Sequence, residues 1–496
     1  MARVQIPFIN STVTHNSITS AGTQKLSNLY AQTIEDPSKS RLVGAVLKGT
    51  PGFSLWKNLS GSVVRGMIVP GDGFLYVVKD NTVYKVTTAG VETSLGTINN
   101  STGRISMAAS RTEVVICNEL KIYKIVLATA TLSDISASLT SIDATYVPKF
   151  VFAQNSRFYY YVGKDNNVFI SDTLDAATVQ NTANIQISLN YGTLQWGIDS
   201  AWYQYYLAEN TVEIWVDQGQ AGAVPIVRPD GMSLPIGVIA KYSVQMIDDM
   251  LYFLAKDKNG LLGVVQVQGN QFNVVSDYSL LARIREFVSI TDAYAYQDNW
   301  EGHPIYCITF PNAVATPGMG YNQGYTIAYD TVTKLWTEHP SYNDSLDRID
   351  SHEAYCSAYF NNLNLIGSYK SGKIYSESPL VYTEDGVSIT REFITPHILF
   401  NGELGTISHL EIEVESNEGL VSGQGSDPQL MISYSKDYGN TYNSETMRSA
   451  SVLGQFKKRV KLFTLGSARV FTLKVRMTDP IRWVFPAITA DVTLNK

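Results

Sequence analysis

The stretch that decides the fold is FLYVVKDNTVYKV, residues 74–86. A run of aromatic and β-branched residues is followed by the polar turn Lys79-Asp80-Asn81 and then by a second such run. Tyr, Phe, Val and Thr favour strands, and a short polar break between two such runs is typical of a β-hairpin. A lone hairpin is marginal in water, so this one must bury its apolar face against neighbouring sheets.

The same hairpin pattern recurs along most of the chain. Units begin near residues 74, 114, 158, 202, 251, 325 and 363, and five of the six spacings lie between 38 and 49 residues. This is the period of a propeller blade of four short strands. Stacking such blades around an axis buries their faces and hides most strand edges. We therefore predict an irregular β-propeller of six to eight blades.

The exceptional spacing is the one of 74 residues between the units at 251 and 325. It contains a Gly/Pro-bearing loop at 311–324, and we interpret it as a blade with insertions. It also contains apolar residues at helical spacing behind polar N-cap candidates. This segment, predicted as one helix of about three turns, comprises Ser276, Asp277, Leu280, Leu281, Ile284, Phe287 and Val288.

The pattern of apolar and polar residues changes after about Pro396. Longer strands with alternating apolar and polar residues follow at 410–415, 430–435 and 470–476. Alternation of this kind places one face in a core and the other in water, as in a β-sandwich. The predicted fold class is all-β with few helices. The predicted organisation is an N-terminal segment (1–60) closing or bracing the propeller, the propeller (61–395) and a β-sandwich-like domain (396–496).

Composition excludes several classes of protein. The 496 residues carry 38 Lys and Arg against 45 Asp and Glu, a formal charge of −7, and 44% are hydrophobic, so the chain is not disordered. No secretory leader and no apolar run of membrane-spanning length is visible, and we expect a protein that stays in the cytoplasm where it is made and has no membrane partner. Cys117, Cys307 and Cys356 have no C-x-x-C spacing and are interpreted as buried thiols. The densest basic cluster, Lys457 to Lys461, predicts no surface that grips nucleic acid.

No motif nominates catalysis. The chain lacks H-E-x-x-H, G-x-S-x-G and a phosphate-binding glycine loop, and its six histidines are never paired at metal-ligand spacing. We therefore expect no enzyme, no catalytic residue, no cofactor and no metal. The acidic stretch Asp344, Asp347, Asp350, His352 and Glu353 offers oxygen ligands for a hard cation, but a solvated loop is the preferred interpretation.

Residues 435–442, SKDYGNTY, fit the S-x-D-x-G-x-T-[WY] hairpin called the Asp-box. This pattern occurs in sialidases and in many inactive β proteins. Its Asp caps turn amides and its Gly takes a positive φ, so a structural turn is favoured over an active site.

Several short segments of the sequence occur together, and in the same order, in one known family. They are Asn28-Leu29-Tyr30-Ala31, Thr50-Pro51-Gly52-Phe53, the segment from Gly103 to Thr112 (GRISMAASRT), Asn210-Thr211-Val212-Glu213, 410–416, the Asp-box, 458–460 and 473–476. In these segments the chain resembles the packaged-DNA stabilisation proteins, or tail hubs, of short-tailed bacteriophages. The signature positions, to which we assign a structural role, are Asn28, Pro51, Gly52, Gly103, Arg104, Ser106, Met107, Arg111, Asp437 and Gly439.

The resemblance implies a structural virion protein of the phage tail, assembled in the bacterial host. It implies a homo-hexameric ring below the portal adaptor that continues the DNA channel without sequence-specific binding and retains packaged DNA. It also implies docking sites for tailspikes or tail fibres and for a needle or plug. The loops at 312–324 and 418–428 have no counterpart in the family, so the resemblance does not say which tail partners bind here.

Two other functions remain open. The many aromatic residues, the Asp-box and the propeller are also compatible with a phage tail protein that binds or cleaves carbohydrate. Aromatics that stack on sugars should be exposed, whereas Tyr and Phe in alternating strands usually belong to a core. A cellular propeller scaffold is the third candidate.

Overall fold

The computed structural model describes residues 2–9, 24–33, 45–188, 192–219, 222–313, 323–415, 418–456 and 458–495. The fold is a β-propeller followed by a β-sandwich, as predicted. His15, Lys457 and most of the loop at 312–324 lie outside the described residues.

The first strands of the chain are shared between the two parts of the molecule. One of them completes a propeller blade, three pair with strands of the C-terminal part, and one pairs with its neighbour in this first group. They are β1 (Ala2–Ile6), β2 (Lys25–Ser27), β3 (Leu29–Thr33), β4 (Ala45–Gly49) and β5 (Gly52–Asn58).

Four blades follow in direct succession, each an antiparallel sheet in chain order. The first has β6 (Val64–Ile68), β7 (Leu75–Lys79), β8 (Thr82–Val86) and β9 (Glu92–Thr97). The second has β10 (Ser106–Ala109), β11 (Glu113–Cys117), β12 (Ile122–Val126) and β13 (Thr131–Asp134), and is followed by helix α1 (Ala137–Thr140). The third has β14 (Phe150–Gln154), β15 (Arg157–Tyr161), β16 (Asn167–Asp172) and β17 (Asp175–Gln186). The fourth has β18 (Leu194–Asp199), β19 (Gln204–Ala208), β20 (Val212–Asp217), β21 (Ile226–Val227) and β22 (Ser233–Leu234).

Three more blades complete the ring, which makes seven among the described residues. The fifth has β23 (Gly237–Val238), β24 (Gln245–Ile247), β25 (Met250–Asp257), β26 (Gly260–Gln268) and β27 (Gln271–Val274), followed by α2 (Tyr278–Arg285). The sixth has β28 (Tyr294–Trp300), β29 (His303–Phe310), β30 (Tyr325–Asp330) and β31 (Trp336–Glu338). After the hairpin β32 (Pro340–Asn343) and β33 (Arg348–Ser351), the seventh has β34 (Ala354–Phe360), β35 (Leu363–Ser368) and β36 (Lys373–Ser378).

The ring is closed by the N-terminal strand β5, which pairs with β36 as the fourth strand of the seventh blade. The predicted division of the chain at residues 60 and 395 stays a prediction, since strands of the first 60 residues pair in both parts of the molecule.

The C-terminal part packs its sheets around one apolar core. One sheet has the order β1-β47-β41-β44, and another has β2-β39-β45-β42-β43 with β40 paired to β45. The strands β3, β4 and β46 form a third sheet, and β37 and β38 form a hairpin beside β5. The bounds are β37 (Thr383–Glu384), β38 (Val387–Ser388), β39 (Arg391–Ile394), β40 (Ile398–Leu399), β41 (Leu404–Ile412), β42 (Gln429–Ser435), β43 (Thr446–Ser449), β44 (Val460–Ala468), β45 (Val470–Met477), β46 (Val484–Phe485) and β47 (Ile488–Asn495).

Two local predictions need correction. The unit placed at residue 325 is the third strand of the sixth blade, whose hairpin begins at His303, and this explains the apparent spacing of 74 residues. Helix α2 starts at the expected cap, where the Asp277 side chain accepts from the Leu280 amide at 2.8 Å, but it ends at Arg285. Phe287 and Val288 lie beyond it. Phe287 still packs in the core, whereas Val288 is exposed, because the apolar pattern outlasts the helical hydrogen bonding.

The three cysteines are buried free thiols, as predicted.

Candidate functional site at the propeller axis and the sandwich junction

The first strands of the blades surround a cavity of about 510 Å³ on the propeller axis. Arg104, directly before β10 in the second blade, reaches into this cavity and past the neighbouring blade to the sixth and seventh blades. Its Nη2 donates to the backbone carbonyl of Tyr355 in the seventh blade at 2.7 Å. Its Nη1 donates to the carbonyl of Ala295 in the sixth blade at 3.2 Å. The side chain therefore braces blades that are far apart in sequence.

The guanidinium group of Arg104 also lies among aromatic rings. It is 4.7 Å from the ring centre of Tyr355, 5.1 Å from that of Tyr294 and 5.6 Å from that of Tyr242. Burial, together with the charge of Glu119, holds the pKa of Tyr242 well above its usual value, so this phenol stays neutral. Three neutral aromatic faces around one cation form a favourable cation–π site.

A second arginine locks the segment that carries Arg104. Arg65 is fully buried in β6, and its Nε donates to the carbonyl of Gly103 at 2.6 Å. Its Nη1 donates to the carbonyl of Asn100 at 2.8 Å, and its Nη2 donates to that of Thr102 at 2.6 Å. Burial lowers the pKa of Arg65, but with its donors satisfied the charge is retained. The first blade thus fixes the backbone from which Arg104 projects.

The other signature residues of the segment from Gly103 to Thr112 have smaller structural roles. The Ser106 hydroxyl accepts from the Val151 amide at 3.0 Å and so joins the first strands of the second and third blades. Met107 packs between the first and second blades. Arg111 lies exposed in the turn between β10 and β11.

Asn28 occupies the junction between propeller and sandwich, and its backbone is left-handed with φ 52°. Its Nδ2 donates to the carbonyls of Pro340 at 2.9 Å and Thr390 at 3.0 Å. Its Oδ1 faces Nδ1 of His339 at 2.8 Å, which requires the proton of His339 on that nitrogen. Asn tolerates this backbone region better than most residues, and the buried side chain ties together three distant segments.

The Thr50-Pro51-Gly52 segment lies next to Asn28. The amide of Thr50 donates to the carbonyl of Asn28 at 3.1 Å, and the buried Arg391 donates through Nη2 to the carbonyl of Thr50 at 3.0 Å. The amide of Gly52 donates to the carbonyl of Val381 at 2.8 Å. A Cβ at Gly52 would lie 2.4 Å from the carbonyl oxygen of Thr383, so only glycine fits.

A continuous sheet crosses the same junction. Ser27 of β2 pairs in parallel with Glu338 of β31, and the other edge of β2 pairs with β39 of the sandwich. A chain of alternating charges follows the strands. Arg283 contacts Glu338, Lys25 lies 3.1 Å from Glu338 and 3.3 Å from Glu392, and Lys474 lies 3.5 Å from Glu392. These residues are called the junction ladder below.

Ionisation of the junction ladder is fixed by its own charges. Burial opposes the charge of Glu338, but Lys25 and Arg283 outweigh burial and hold its pKa below the usual value. Burial also opposes the charge of Lys25, and here Glu338 and Glu392 outweigh it and raise the pKa. Glu338 and Lys25 are therefore charged at neutral pH.

A pair of buried histidines packs behind Asn28. The rings of His339 and His352 stack with centres 4.1 Å apart, and Nδ1 of His352 lies 2.6 Å from the hydroxyl of Tyr296. Burial lowers the pKa of His339 to about 4 and lowers that of His352 as well, so both rings are neutral at pH 7. Glu384 lies 4.0 Å from His352, and burial raises its pKa to about 7.

The interpretation of the acidic stretch as a solvated loop is wrong for two of its residues. Asp344 and Asp347 are exposed, but Asp350 and His352 are buried. The reason is the hairpin β32–β33, in which Arg348 lies 2.9 Å from Asp350 and Asn343 donates to the same carboxylate at 3.0 Å.

A cleft of about 620 Å³ opens at the edge of the junction, between the sixth and seventh blades. Its wall includes Asp298 and Glu377, whose carboxyl groups lie side by side, and the exposed ring of Tyr359. Burial, and then the charge of Asp298, raises the pKa of Glu377 well above its usual value, which favours the neutral form of this carboxyl group.

The Asp-box is a turn between strands β42 and β43 of the sandwich. The carboxylate of Asp437 accepts from the Thr441 amide at 2.9 Å and from the Ser435 hydroxyl at 2.6 Å, and Gly439 has φ 81°. These bonds lower the pKa of Asp437 to about 2. Each oxygen of the carboxylate is occupied by the turn itself.

The signature positions thus fall into three groups. Gly103, Arg104, Ser106 and Met107 meet Arg65 near the axis, while Asn28, Pro51 and Gly52 meet at the junction. Asp437 and Gly439 stay apart in their turn, and Arg111 stays on the surface.

Sequence reasoning missed the partners of these groups. Arg65 had a local signal, a charge inside the apolar strand run at 63–68. Nothing local marked Tyr355, Arg391, His339 or Glu377, because each matters through neighbours that are distant in sequence.

The described residues contain neither a cluster of metal ligands nor a membrane-spanning helix. No group of three or more His, Cys, Asp or Glu side chains there is placed to hold a metal ion. Nor does that part of the chain contain a helix with the length and hydropathy needed to cross a membrane.

Comparison with known families gives two matches that together span nearly the whole chain. Residues 4–375 match the family model described as bacteriophage P22 Gp10, beta-propeller, and residues 390–493 match the one described as bacteriophage P22 Gp10, beta-sandwich. No curated protein matches the chain.

Solved propellers are similar only at a distance. The WD40 propeller domain of Doa1 is 10% identical over 66% of this chain and 96% of its own, with a TM-score of 0.37. Virginiamycin B lyase from Staphylococcus aureus is 11% identical over 64% and 94%, with a TM-score of 0.39. The Pan2 WD40 domain of Neurospora crassa is 10% identical over 67% and 95%, with a TM-score of 0.40. Likenesses this distant say nothing about function.

Proposed function

Because this chain belongs to the bacteriophage P22 Gp10 family of structural tail proteins, we propose that it is a tail hub. Six copies form a ring below the portal adaptor, continue the DNA channel and retain the packaged DNA. The observation that carries the proposal is the match of both domains, in order, to one tail-protein family.

The junction supports a mechanical role. A hub that connects the head to tail appendages must pass load between its domains without hinging. Here the sixth blade continues through β2 into the sandwich sheet, and the junction ladder follows the same path. A continuous hydrogen-bonded sheet with paired charges resists bending better than a flexible linker, which is the usual connection between domains.

The axis of the propeller is too small and too obstructed to serve as the channel. Its cavity of about 510 Å³ has the size of a small-molecule site, and Arg104 bridges it. In a hub built from this chain, DNA therefore passes between copies and never through one propeller. Each Lys or Arg on that inner wall would add affinity for phosphate through counterion release. An acidic chain of charge −7 suits a wall that lets the DNA slide.

Tailspikes or tail fibres and a needle or plug are the proposed tail partners. The loops at 312–324 and 418–428, which contain none of the short segments shared with the family, are the proposed places where partner choice differs from that of relatives. The function is architectural: the protein runs no reaction, resides in the virion and is assembled in the host cytoplasm.

The deciding experiment mixes the purified full-length protein with a portal–adaptor complex and images the product by electron microscopy. We expect a sixfold ring attached to the adaptor, with a channel wall poor in Lys and Arg. A chain that stays unattached would overturn the hub, and a wall dominated by basic residues would overturn the sliding-channel argument. The carbohydrate-cleaving alternative is tested by incubation with capsule or lipopolysaccharide, where new reducing ends would contradict an architectural role.

A further inference from the structure

The cleft between the sixth and seventh blades has the chemistry of a ligand site. It is formed where the β28–β29 turn and the β34–β35 turn face each other, and Pro51 and Pro379 close one side. Its volume of about 620 Å³ is within the range of small-molecule sites, which occur preferentially at domain boundaries.

The charge inside the cleft is already used by the protein. The carboxylate of Asp298 accepts from the Asn299 amide at 2.6 Å, from Nδ2 of Asn364 at 3.0 Å and from the indole of Trp300 at 2.7 Å. Burial raises the pKa of Glu377 beside it, which favours the neutral acid, and among the described residues no Lys or Arg lines the cleft. A cationic ligand would have to compete with these bonds, and an anionic ligand would meet no positive charge.

Glu301 also lines the cleft, but its carboxylate is paired with Lys48, so the wall leaves mainly neutral hydrogen-bonding groups for a ligand. The amides of Gln297, Asn299 and Asn362 are exposed at the rim, and each offers donors as well as an acceptor. Planar amides of this kind match the neighbouring hydroxyl groups of a sugar, which donate and accept in the same way.

One wall of the cleft is an exposed aromatic ring. Tyr359 is 67% exposed although it lies in strand β34, and its hydroxyl donates to Oδ1 of Asn362 at 3.3 Å. Most tyrosines in the strands of this protein are buried, as expected for a core. An open aromatic face beside amides offers apolar contact for the C–H face of a sugar ring and polar contact for its hydroxyl groups.

We propose that this cleft binds one sugar unit of a glycan, with the ring stacked on Tyr359 and its hydroxyl groups bonded to the amides of the rim. The proposal is of binding alone. It does not rest on the tail-hub proposal, because the cleft is complete within a single copy of the chain.

The test uses the full-length protein and saturation-transfer NMR with the methyl glycosides of glucose, galactose, mannose, N-acetylglucosamine and rhamnose. At least one glycoside should bind, with a Kd of about 1 mM, typical of a single small contact patch. Tyr359→Ala should weaken binding about tenfold, since an aromatic contact is worth that much. Gln297→Ala should weaken it as well.

Tyr278→Ala is the matched control, because Tyr278 is also a tyrosine with 67% exposure but lies on α2, outside the cleft. It should leave binding unchanged. The proposal fails if no glycoside binds or if Tyr359→Ala and Tyr278→Ala behave alike. It also fails if Nα-acetyl-lysine amide displaces the bound glycoside, because the cleft would then be a site for cations.

Discussion

Arg104 and Tyr355 are joined across the propeller axis: the guanidinium donates at 2.7 Å to the Tyr355 carbonyl and lies 4.7 Å from the centre of its ring. The two residues belong to the second and seventh blades and are 251 positions apart. Lys241 and Tyr242 of the fifth blade likewise contact Glu119 of the second blade, so the contact of Arg104 is one of several between blades that are not neighbours. The contact therefore assigns a mechanical role to Arg104 in the family segment from Gly103 to Thr112.

Replacing Arg104 should loosen the whole ring. In Arg104→Met, the carbonyls of Tyr355 and Ala295 lose their donor and the three tyrosines lose their cation. We expect a loss of about 2 kcal/mol in the free energy of unfolding, measured by urea denaturation. Arg111→Met is the control from the same segment and should change stability by less than about 0.5 kcal/mol, because Arg111 is exposed. Equal effects of the two substitutions would contradict a bracing role for Arg104.

Because the backbone of Asn28 is left-handed, alanine and glycine substitutions at this position should differ in stability. Both Asn28→Ala and Asn28→Gly remove the bonds to Pro340 and Thr390, but only glycine accepts φ 52° without strain. Asn28→Ala should therefore be less stable than Asn28→Gly by about 1 kcal/mol. Asn401, an exposed turn residue with φ 53°, is the control. Asn401→Gly should be close to wild type in stability, whereas Asn401→Ala should be less stable. If Asn28→Gly also matches wild type, its side chain does not hold the junction.

The junction ladder should depend on Lys25, which lies between two carboxylates. In Lys25→Met, Glu338 and Glu392 lose a shared partner in a largely buried site, and we expect a loss of about 3 kcal/mol in urea denaturation at pH 7. Lys121→Met removes the exposed pair with Asp134 and should have no measurable effect.

The same variant has a pH signature. The pKa of Glu338 is lowered in the fold, so its stabilising contribution is present above the usual value of 4.5 and is lost as the pH falls below it. The difference in stability between wild type and Lys25→Met should therefore shrink below pH 4.5. A difference that stays constant down to pH 3 would show that Lys25 acts through packing and not through charge.

The histidine pair predicts acid sensitivity of the junction. His339 is held neutral, with its pKa lowered by burial from 6.5 to about 4, and it faces His352, Asn28, Trp300, Asp298 and Arg391. A lowered pKa means that this contribution is complete above pH 6.5 and is lost as the pH falls toward 4. Relative to His339→Gln, wild type should lose about 3 kcal/mol over that range.

Glu384 supplies a control of opposite sign. Its pKa is raised from 4.5 to about 7, so its contribution is complete below pH 4.5 and is lost as the pH rises to 7. Relative to Glu384→Gln, wild type should lose stability over that rise. Parallel pH profiles for wild type and both variants would exclude these groups as the source of pH dependence.

The class of structure follows from local patterns in the amino-acid sequence. Alternating aromatic and β-branched residues define strands through local side-chain preferences, and polar turns at regular intervals define the blades. For the same reason the sandwich strands and the Asp-box turn were foreseeable: each is held by contacts within a few residues. The end of α2 and the true start of the sixth blade were misjudged, because apolar periodicity continues past the point where backbone hydrogen bonds change partner.

Only the tertiary structure decided where the chain closes and what lies at its functional positions. That β5 completes the seventh blade and that Arg104 reaches Tyr355 depend on segments brought together across more than two hundred residues. Hydrogen bonds and burial act over a few ångströms whatever the sequence separation, so a local pattern carries no record of such partners. The cleft beside Tyr359 also needs the tertiary structure, since it forms where turns of two separate blades meet.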